Sequence, residues 1–425
     1  MSLSGTAKRW LAALTRILGV VARPVHEAQG EGGVVIQPYR GYGSRHEVFL
    51  IGRVFRQSRS APGPGRGDLL ANLRDIGQRI ARRAVSDAAV TARFSGAEGS
   101  FTTDRDGYFR VHLSPPLPPP SDRSWHLMDL ALAQPQSAQA QAKIFIPPAS
   151  CRYVVISDID DTIMQTGVAN KLAMLWRLFV EDAPSRVAFP GVAALYRALH
   201  VGTSGDQQNP MLYVSRAPWG IYEVLEEFFS LHGIPVGPVL FLREWGISWT
   251  SPLPRKAENH KRELIHNMLA LYSELPFILI GDSGQHDPEI YRQIVEEHPG
   301  RVLVVYIRNV SRDPKMIRQI EELAKVVAGA GSSLVLAANS VAMVEHAARL
   351  GLVAPETLSD VRSEKAAAPE AQPQTNTYGL QRATPSQTAD AVSQGDLQHL
   401  IETGSKPTPP SIIIEPKTHE PPKQP

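Results

Sequence analysis

The sequence predicts an α/β protein in which a parallel sheet flanked by helices follows a smaller β-rich domain and precedes a disordered tail. Three observations predict this arrangement. Continuous apolar runs alternate with helical segments between residues 148 and 355. Short runs of β-branched and aromatic residues, separated by turns, occupy residues 30–147. From residue 356 onward, proline, glutamine, serine and threonine replace the large apolar residues.

Residues 1–29 are expected to contain an amphipathic helix with an apolar stripe and a basic stripe. The stripes consist of Trp10, Leu14, Ile17 and Val21 on one side and of Arg9, Arg16 and Arg23 on the other. A basic amphipathic helix binds at a lipid interface, but a terminal helix packed on the protein's own core shows the same periodicity. Both alternatives stay open. A cleavable signal peptide is not predicted, because Arg16 interrupts the apolar stretch.

The composition disfavours nucleic-acid binding and an oxidising compartment. Lysine and arginine number 44 and aspartate and glutamate 42, so no global positive field attracts nucleic acid. Cys151 is the single cysteine, which excludes an intrachain disulfide and suits a reducing compartment. No apolar run reaches the roughly 18 to 20 residues of a membrane span. We therefore expect a cytoplasmic protein, with peripheral membrane attachment through the N-terminal helix as the alternative.

Residues 30–147 are predicted to form a small β-sandwich. Runs such as "HEVFLIGRVF", "VTARFSG" and "DGYFRVHL" have the residue types and length of strands. We expect Asp106-Gly107 to form a hairpin turn, because glycine tolerates positive φ. One helix is expected around residues 69–80, with Asp68 as its N-cap. The sequence of this domain shows no catalytic constellation.

Residues 148–355 are predicted to form the parallel sheet. The runs "RYVVIS", "MLYVS", "PVLFL", "PFILIG" and "RVLVVYI" are continuously apolar, and a helical segment separates each from the next. Continuous rather than alternating apolarity indicates strands that are buried on both faces. In such sheets the ligand binds at the carboxyl ends of the strands.

Residues 356–425 are predicted to be a disordered tail, because they offer too little apolar surface to offset the entropy of ordering. The apolar triplet Ile412-Ile413-Ile414 interrupts this tail between prolines. It is either a short β-adding peptide motif that binds a partner or an apolar spot without a partner.

Polar residues follow three of the predicted strands. They are Asp158, Asp160, Asp161 and Thr162 after the first, Ser215 after the second, and Asp282 and Asp287 after "FILI". Crowded carboxylates are stable when a hard divalent cation neutralises them, and oxygen ligands suit Mg²⁺. A calcium loop of the EF-hand type is not predicted, because Ile163 occupies the position that requires glycine.

These residues carry a resemblance to known phosphatases. Asp158, Asp160 and Thr162 match the DxDxT signature of the haloacid dehalogenase superfamily in its phosphatase branch, and Gly281 with Asp282 resembles the later acidic motif. The stretches "YVSRAPW", "GDSGQHDPEIY" and "HPGRVLVVYIR" are similar to the fungal actin-patch-protein family of Mg²⁺-dependent phosphatidate phosphatases. The resemblance extends over residues 35–355. It implies a haloacid-dehalogenase-like, doubly wound parallel sheet.

The resemblance also implies a role for each motif residue. Asp158 is the nucleophile and a Mg²⁺ ligand, and Asp160 is the general acid and base whose backbone carbonyl reaches the metal. Thr162 holds the loop, and Ser215 donates a hydrogen bond to a phosphoryl oxygen. The remaining implied metal ligands are Asp282 and Asp287. The second of these is also a candidate N-cap, because proline follows it at a helix start.

A lysine is expected to neutralise the transferring phosphoryl group, and two candidates precede the "FILIGDS" strand. Lys261 is preferred because it shares a helix face with Ile265 and Met268. Lys256 is the alternative. Asp161 points away from Asp158 in an extended stretch and is the expected non-catalytic aspartate.

The sequence therefore predicts a Mg²⁺-dependent phosphatidate phosphatase that forms an aspartyl phosphate and acts at an anionic membrane surface. The alternative within the same reaction class is a phosphatase of a soluble phosphate ester. The alternative of a different class is a non-catalytic scaffold that binds membrane or protein partners through its tail and β-rich domain.

Overall fold

The computed structural model describes most of the two predicted domains. It describes residues 33–56, 83–134, 137–158, 191–215, 219, 222–241, 257–283, 287–308, 314–337, 340–367 and 412–414. The predicted N-terminal helix, the helix expected around residues 69–80 and most of the predicted tail lie outside the described residues.

The first part of the chain forms a mainly antiparallel β-structure around one apolar core. Its strands are β1 (Val34–Pro38), β2 (Gly41–Gly43), β3 (Val48–Arg56), β4 (Arg83–Ala84), β5 (Ala89–Phe94), β6 (Ala97–Thr102), β7 (Tyr108–Leu113), β8 (Trp125–Leu132) and β9 (Ala138–Phe145). Strand β3 pairs with β1, β2, β4 and β7, and β2 also pairs in parallel with β9. Alternate side chains of strands such as β5, β7 and β8 point into the shared core.

The turn at Asp106-Gly107 forms, but it does not connect a hairpin. Gly107 has a φ of 80°, and its amide donates a hydrogen bond of 2.9 Å to the carbonyl of Asp104. The strand before the turn, β6, pairs with β5, whereas the strand after it, β7, pairs with β3. The hairpin prediction was wrong because a turn fixes only local chain direction. Burial of Phe109 and Val111 in the core selects β3 as the partner of β7.

The second part of the chain forms a predominantly parallel sheet. Its strands are β10 (Val154–Asp158), β11 (Met211–Ser215), β12 (Val239–Phe241), β13 (Phe277–Asp282), β14 (Val302–Arg308), β15 (Ser333–Ala337) and β16 (Ile412–Ile414). They lie in the order β12-β11-β10-β13-β14-β15-β16, and only the β15–β16 pair is antiparallel. The prediction of parallel strands from the continuous apolar runs is confirmed.

Helices cover both faces of this sheet. They are α1 (Val192–Val201), α2 (Tyr222–His232), α3 (Ala257–Leu271), α4 (Asp287–Glu297), α5 (Pro314–Gly329), α6 (Ser340–Arg349) and α7 (Thr357–Ala367). Helices α1, α2, α6 and α7 contribute to the apolar cluster on one face, and α3, α4 and α5 contribute to the cluster on the other. The strands are therefore buried on both sides, which explains why their sequences do not alternate.

Two segments of the predicted tail are ordered parts of this domain. Helix α7 begins one residue after the predicted tail boundary, and its Val361 is fully buried against the sheet's helical layer. Strand β16 pairs with β15, with Ile414 opposite Leu334. The tail prediction was wrong for these segments because average composition hides short apolar stretches that find a partner. The isoleucine triplet does add to a sheet, and the sheet is this chain's own.

The β-rich part contacts the parallel-sheet part beside the start of α2. The rings of Tyr39 and Trp219 stack with centroids 4.4 Å apart. The backbone amide of Arg40 donates to the hydroxyl of Tyr222 at 3.0 Å, and the Arg40 guanidinium lies 3.2 Å from Glu226. These contacts join the β-rich part to Trp219 and to the start of α2, the helix that follows β11. Within the described residues, we find no helix with the length and hydropathy to cross a bilayer.

The buried histidine of α6 makes stability depend on pH. His346 is fully buried, its Nδ1 lies 3.2 Å from the hydroxyl of Tyr306, and burial together with nearby Arg349 lowers its pKa from 6.5 to about 4. As the pH falls through 6.5, the unfolded chain takes up a proton that the folded chain does not. We expect the free energy of unfolding to decrease by about 2 kcal/mol from this group between pH 7 and pH 5.

Urea unfolding of the wild type and of His346→Gln at pH 7 and pH 5 checks this expectation. The variant should lose less stability between the two pH values, whatever its stability at pH 7. His46→Gln replaces an exposed histidine and is the matched control. An equal loss of stability between pH 7 and pH 5 in the wild type and in His346→Gln would contradict the lowered pKa of His346.

Candidate active site

Three of the predicted site residues end neighbouring strands at one edge of the parallel sheet. Strand β10 lies between β11 and β13, and the register places Asp158 beside Val214 and Ser157 beside Ile280. Asp158, Ser215 and Asp282 are the last residues of these three strands. These three residues therefore lie at neighbouring strand ends, on the same edge of the sheet.

Lys261 joins two of the acidic residues. It lies in the first turns of α3, and its Nζ donates hydrogen bonds to Asp158 Oδ2 and to Asp287 Oδ1. The side chains of all three residues are at most 2% exposed, so this ion-pair triad is shielded from water. The sequence argument preferred Lys261 over Lys256, and Lys261 is the lysine found at the strand ends. Lys256 lies outside the described residues.

Burial and charge act in opposite directions on the triad. For Lys261, burial favours the neutral amine, but the charges of Asp158 and Asp287 outweigh it and hold the pKa well above its ordinary value. For Asp287, burial raises the pKa to about 6, the charge of Asp158 acts in the same direction, and Lys261 opposes both. The lysine is therefore a permanent cation, and the two carboxylates share it.

Asp287 is held in place by backbone as well as by the lysine. It begins α4, and its Oδ2 accepts a hydrogen bond of 3.3 Å from the amide of Asp282. A Cβ atom at Gly281 would lie 2.2 Å from Asp287 Oδ2, so only glycine permits this approach. The described hydrogen bonds of this carboxylate run to Lys261 and Asp282 rather than to the amides of its own helix. They do not support the alternative that Asp287 is an N-cap.

Sequence reasoning missed three residues at this edge. Arg308 ends β14 in register with Asp282, and its carbonyl accepts a hydrogen bond of 2.8 Å from the amide of Ser283. The second is Tyr196, whose hydroxyl lies 2.6 Å from the hydroxyl of Ser157. Burial raises the pKa of Tyr196, and the nearby Arg308 cation acts to lower it. A third, Tyr291, has its ring 5.4 Å from the ammonium nitrogen of Lys261. A charged residue at the end of an apolar run was the available signal for Arg308.

Several predicted residues cannot be placed. Asp160 and Thr162 of the first motif, together with Asp161, lie outside the described residues. The roles expected for these residues stay predictions.

The donor set at this edge fits a hard divalent cation. The described charged residues at this edge are three carboxylates (Asp158, Asp282 and Asp287) and two cations, Lys261 and Arg308, and an excess of buried negative charge is unfavourable. Carboxylate oxygens are the ligands that Mg²⁺ prefers, and no thiolate or imidazole is among these residues. The residues present therefore fit the ion that the sequence predicts.

A comparison with protein families matches the segment that contains these strand ends. Residues 153–309 match the family described as "Phosphatidate phosphatase APP1, catalytic domain". Through that segment, the chain is similar to this family. The match begins one residue before β10 and ends one residue after β14, so it contains Asp158, Ser215, Lys261, Asp282 and Asp287. The predicted resemblance is confirmed over this segment, which is shorter than the expected span of residues 35–355.

Two relatives extend the comparison. "Phosphatidate phosphatase APP1" of Saccharomyces cerevisiae is 35% identical over 155 residues, which are 36% of this chain and 25% of the yeast protein. An uncharacterised protein of Schizosaccharomyces pombe is 24% identical over 222 residues, which are 51% of this chain and 35% of that protein. This chain thus spans only about a quarter to a third of the length of these relatives.

Solved structures add no argument about function. A carbohydrate acetylesterase from Xanthomonas citri aligns over 68% of this chain and 64% of its own, with 12% identity and a TM-score of 0.23. Similarity at that level does not establish a common fold.

Removal of the shared cation should destabilise the protein. We expect Lys261→Gln to lower the free energy of unfolding by about 3–5 kcal/mol, because it leaves two buried carboxylates uncompensated. Thermal and urea unfolding in the presence of a chelator measure the change. A second substitution, Asp287→Asn, should restore part of the loss, since it removes one of the two charges.

The matched control is Lys325→Gln, at an exposed lysine on α5, which should change stability by less than about 0.5 kcal/mol. A Lys261→Gln protein as stable as this control would show that the triad is not a coupled buried unit.

Proposed function

We propose that this chain is a Mg²⁺-dependent phosphatidate phosphatase that hydrolyses a phosphomonoester through an aspartyl phosphate on Asp158. The observation that carries the proposal is the buried Lys261 ammonium between Asp158 and Asp287, inside the segment that matches the phosphatidate phosphatase family. A phosphatase needs an anionic nucleophile beside a cation that accepts the charge of the phosphoryl group, and this pair provides both.

The proposed fold of the catalytic part is the doubly wound sheet of the haloacid dehalogenase superfamily. Its support is the strand order, in which β10 comes first in sequence and has β11 on one side and β13 on the other. The helices on both faces of the sheet agree with that assignment. In such sheets the ligand site lies where the strand order reverses, and Asp158 is at that position.

The proposed reaction has two steps. In the first, a carboxylate oxygen of Asp158 attacks phosphorus, the bond to the ester oxygen breaks, and Asp160 protonates the departing alcohol. In the second, Asp160 takes a proton from water, the water oxygen attacks phosphorus, and the bond to Asp158 breaks to release inorganic phosphate. Lys261 offsets the charge of the phosphoryl oxygens in both steps, and Ser215 donates a hydrogen bond to one of them.

The residues that would hold Mg²⁺ are the carboxylates of Asp158 and Asp282 and the backbone carbonyl of Asp160, with Asp287 behind them. When bound, the ion neutralises and orients the phosphoryl oxygens. The support for a positioning role of Asp287 is that its carboxylate accepts hydrogen bonds from both Lys261 and the amide of Asp282.

A non-catalytic scaffold is a weaker explanation of the same features. Burial of an ammonium and two carboxylates is costly, and a core of apolar residues of the same volume would stabilise the domain equally well or better. The retention of this triad at the strand ends therefore favours catalysis. A phosphatase of a soluble ester uses the same triad, so the choice between it and a lipid phosphatase depends on the substrate experiment below.

We propose further that the enzyme is cytoplasmic and reaches phosphatidate at an anionic membrane surface. The support is the basic stripe predicted within residues 8–23, since each lysine or arginine near an anionic surface contributes about 1 kcal/mol of attraction.

The nucleophile assignment predicts a difference between two neighbouring aspartates. Asp158→Asn retains the shape of the side chain but removes the attacking charge, so turnover should fall by at least 1,000-fold, as for loss of a nucleophile in general. Asp161→Asn should stay within about threefold of the wild type. Steady-state phosphate release from one substrate measures both. Equal losses in the two variants would mean that the wrong aspartate has been assigned.

The substrate and metal assignments are tested together. Phosphate release is measured from phosphatidate in vesicles and from a short soluble phosphate ester, each with chelator, with Mg²⁺ and with Ca²⁺. We expect chelation to abolish both activities, Mg²⁺ to restore them and Ca²⁺ to restore them poorly, because its looser coordination does not enforce in-line geometry.

A chain that lacks residues 1–24 is the comparison variant in this experiment. It should lose activity on vesicles and retain activity on the soluble ester, most visibly at low salt. Full activity in excess chelator would refute the metal assignment. Activity on the soluble ester alone would refute phosphatidate as the substrate.

A further inference from the structure

A second group of metal-ligating side chains lies on the surface, away from the strand ends. It consists of His266 on α3, Glu297 at the end of α4 and His298 directly after it, and their ligand atoms all lie within 4.8 Å of one another. We propose that this group, called here the His266–His298 site, binds a transition-metal ion such as Zn²⁺ through His266 Nδ1 and His298 Nε2.

The two imidazoles are placed to share one ion. His298 Nε2 lies 2.7 Å from His266 Nδ1, and the ring planes are inclined by 61°. A Zn²⁺ ion takes imidazole nitrogens at about 2.0–2.1 Å, and two ligands of a tetrahedral ion are therefore about 3.3 Å apart. A small rotation of the partly exposed rings provides that separation. Solvent at the exposed side supplies the remaining ligands.

The carboxylate selects the ligand nitrogen of His266. Glu297 Oε2 lies 2.7 Å from His266 Nε2, so this nitrogen donates its hydrogen to the carboxylate. The hydrogen bond leaves Nδ1 of the neutral ring as the electron-pair donor, directed at His298. Histidine ligands of metals are commonly oriented by a carboxylate in this way, and the same hydrogen bond raises the basicity of the ligating nitrogen.

Hydrogen bonds hold the backbone segments beside the two histidines. Arg301 donates hydrogen bonds of 3.0–3.2 Å to the carbonyls of Leu269, Tyr272 and Leu275, at the end of α3 and beyond it. The amide of His298 donates to the carbonyl of Ile294 at 3.0 Å, which extends the last turn of α4. Ligands on such rigid elements lose little conformational entropy on binding.

The position and the ligand type separate this site from the strand-end carboxylates. Helix α4 runs for 11 residues from Asp287 to Glu297, which places these two residues about 15 Å apart along the helix axis. Imidazole ligands favour Zn²⁺, Ni²⁺ or Cu²⁺ over Mg²⁺. An ion here would clamp the end of α4 to α3, and these two helices carry the Asp287 and Lys261 members of the buried triad. The inference does not depend on the proposed reaction.

The test is ion binding to the full chain. Calorimetric titration with Zn²⁺, and separately with Mg²⁺, is performed on the wild type, His266→Gln, His298→Gln and the control His112→Gln. The control removes an exposed histidine that also pairs with a carboxylate, Glu47, at 2.9 Å. We expect Zn²⁺ binding to weaken at least tenfold in both site variants and to be unchanged in the control. Mg²⁺ should not discriminate among the four proteins.

Thermal unfolding provides the second measurement. Zn²⁺ should raise the unfolding temperature of the wild type and of the control more than that of the two site variants, because the ion binds the folded state. Melting without added metal shows that each variant folds. Two results would overturn the proposal. One is a Zn²⁺ affinity that both site variants retain. The other is no detectable binding of Zn²⁺ to the wild type at about 100 μM, the order of the dissociation constant of a weak surface site; the two histidines would then be only a hydrogen-bonded pair.

Discussion

The buried ammonium of Lys261 is the charge on which the geometry of the strand ends depends. Asp158 and Asp287 come from different elements, and without a cation between them they would repel one another in a region shielded from water. Burial of each ion costs several kcal/mol, and only close pairing and hydrogen bonding offset that cost. The ion pairs therefore fix the positions of strand β10, helix α3 and helix α4 relative to one another. A shift of any one of them leaves an uncompensated charge.

The order of strands makes this pairing possible. Strand β10 enters the middle of the sheet, and the chain then builds β11 and β12 on one side before it returns to add β13 and β14 on the other. Helix α3 lies in the connection between β12 and β13 and packs on the same face of the sheet as α4. Lys261 therefore lies near the end of β10 on that face. Gly281 completes the arrangement, because its missing side chain gives the Asp287 carboxylate access to the amide of Asp282. The sheet thus positions Asp158 and Asp282, whereas helix α4 carries Asp287 and helix α3 carries the cation Lys261.

The parts that sequence reasoning predicted are those set by local pattern. The apolar runs predict the parallel strands, and the spacing of Lys261, Ile265 and Met268 predicts one buried face of α3, on which all three are found. The parts it missed depend on distant partners. Asp106-Gly107 forms its turn, but β7 pairs with β3 because of burial that no local pattern records. Arg308 belongs to the site only because β14 lies beside β13.

The C-terminal strand β16 is a second case in which the sequence does not reveal a distant partner. Ile413 packs against the apolar cluster on one face of the sheet and Ile414 against the cluster on the other, as neighbouring residues of a strand must. The exposed edge of a sheet has unpaired backbone groups that can pair with a strand of another chain. Strand β16 pairs with β15 and so covers its edge. Residues that add a strand to a partner and residues that add one to their own sheet have the same composition. The sequence-based alternatives were a partner-binding motif and an apolar spot, and neither was a strand of the chain's own sheet. Tethering within one chain raises the effective concentration of the strand and favours pairing with its own sheet.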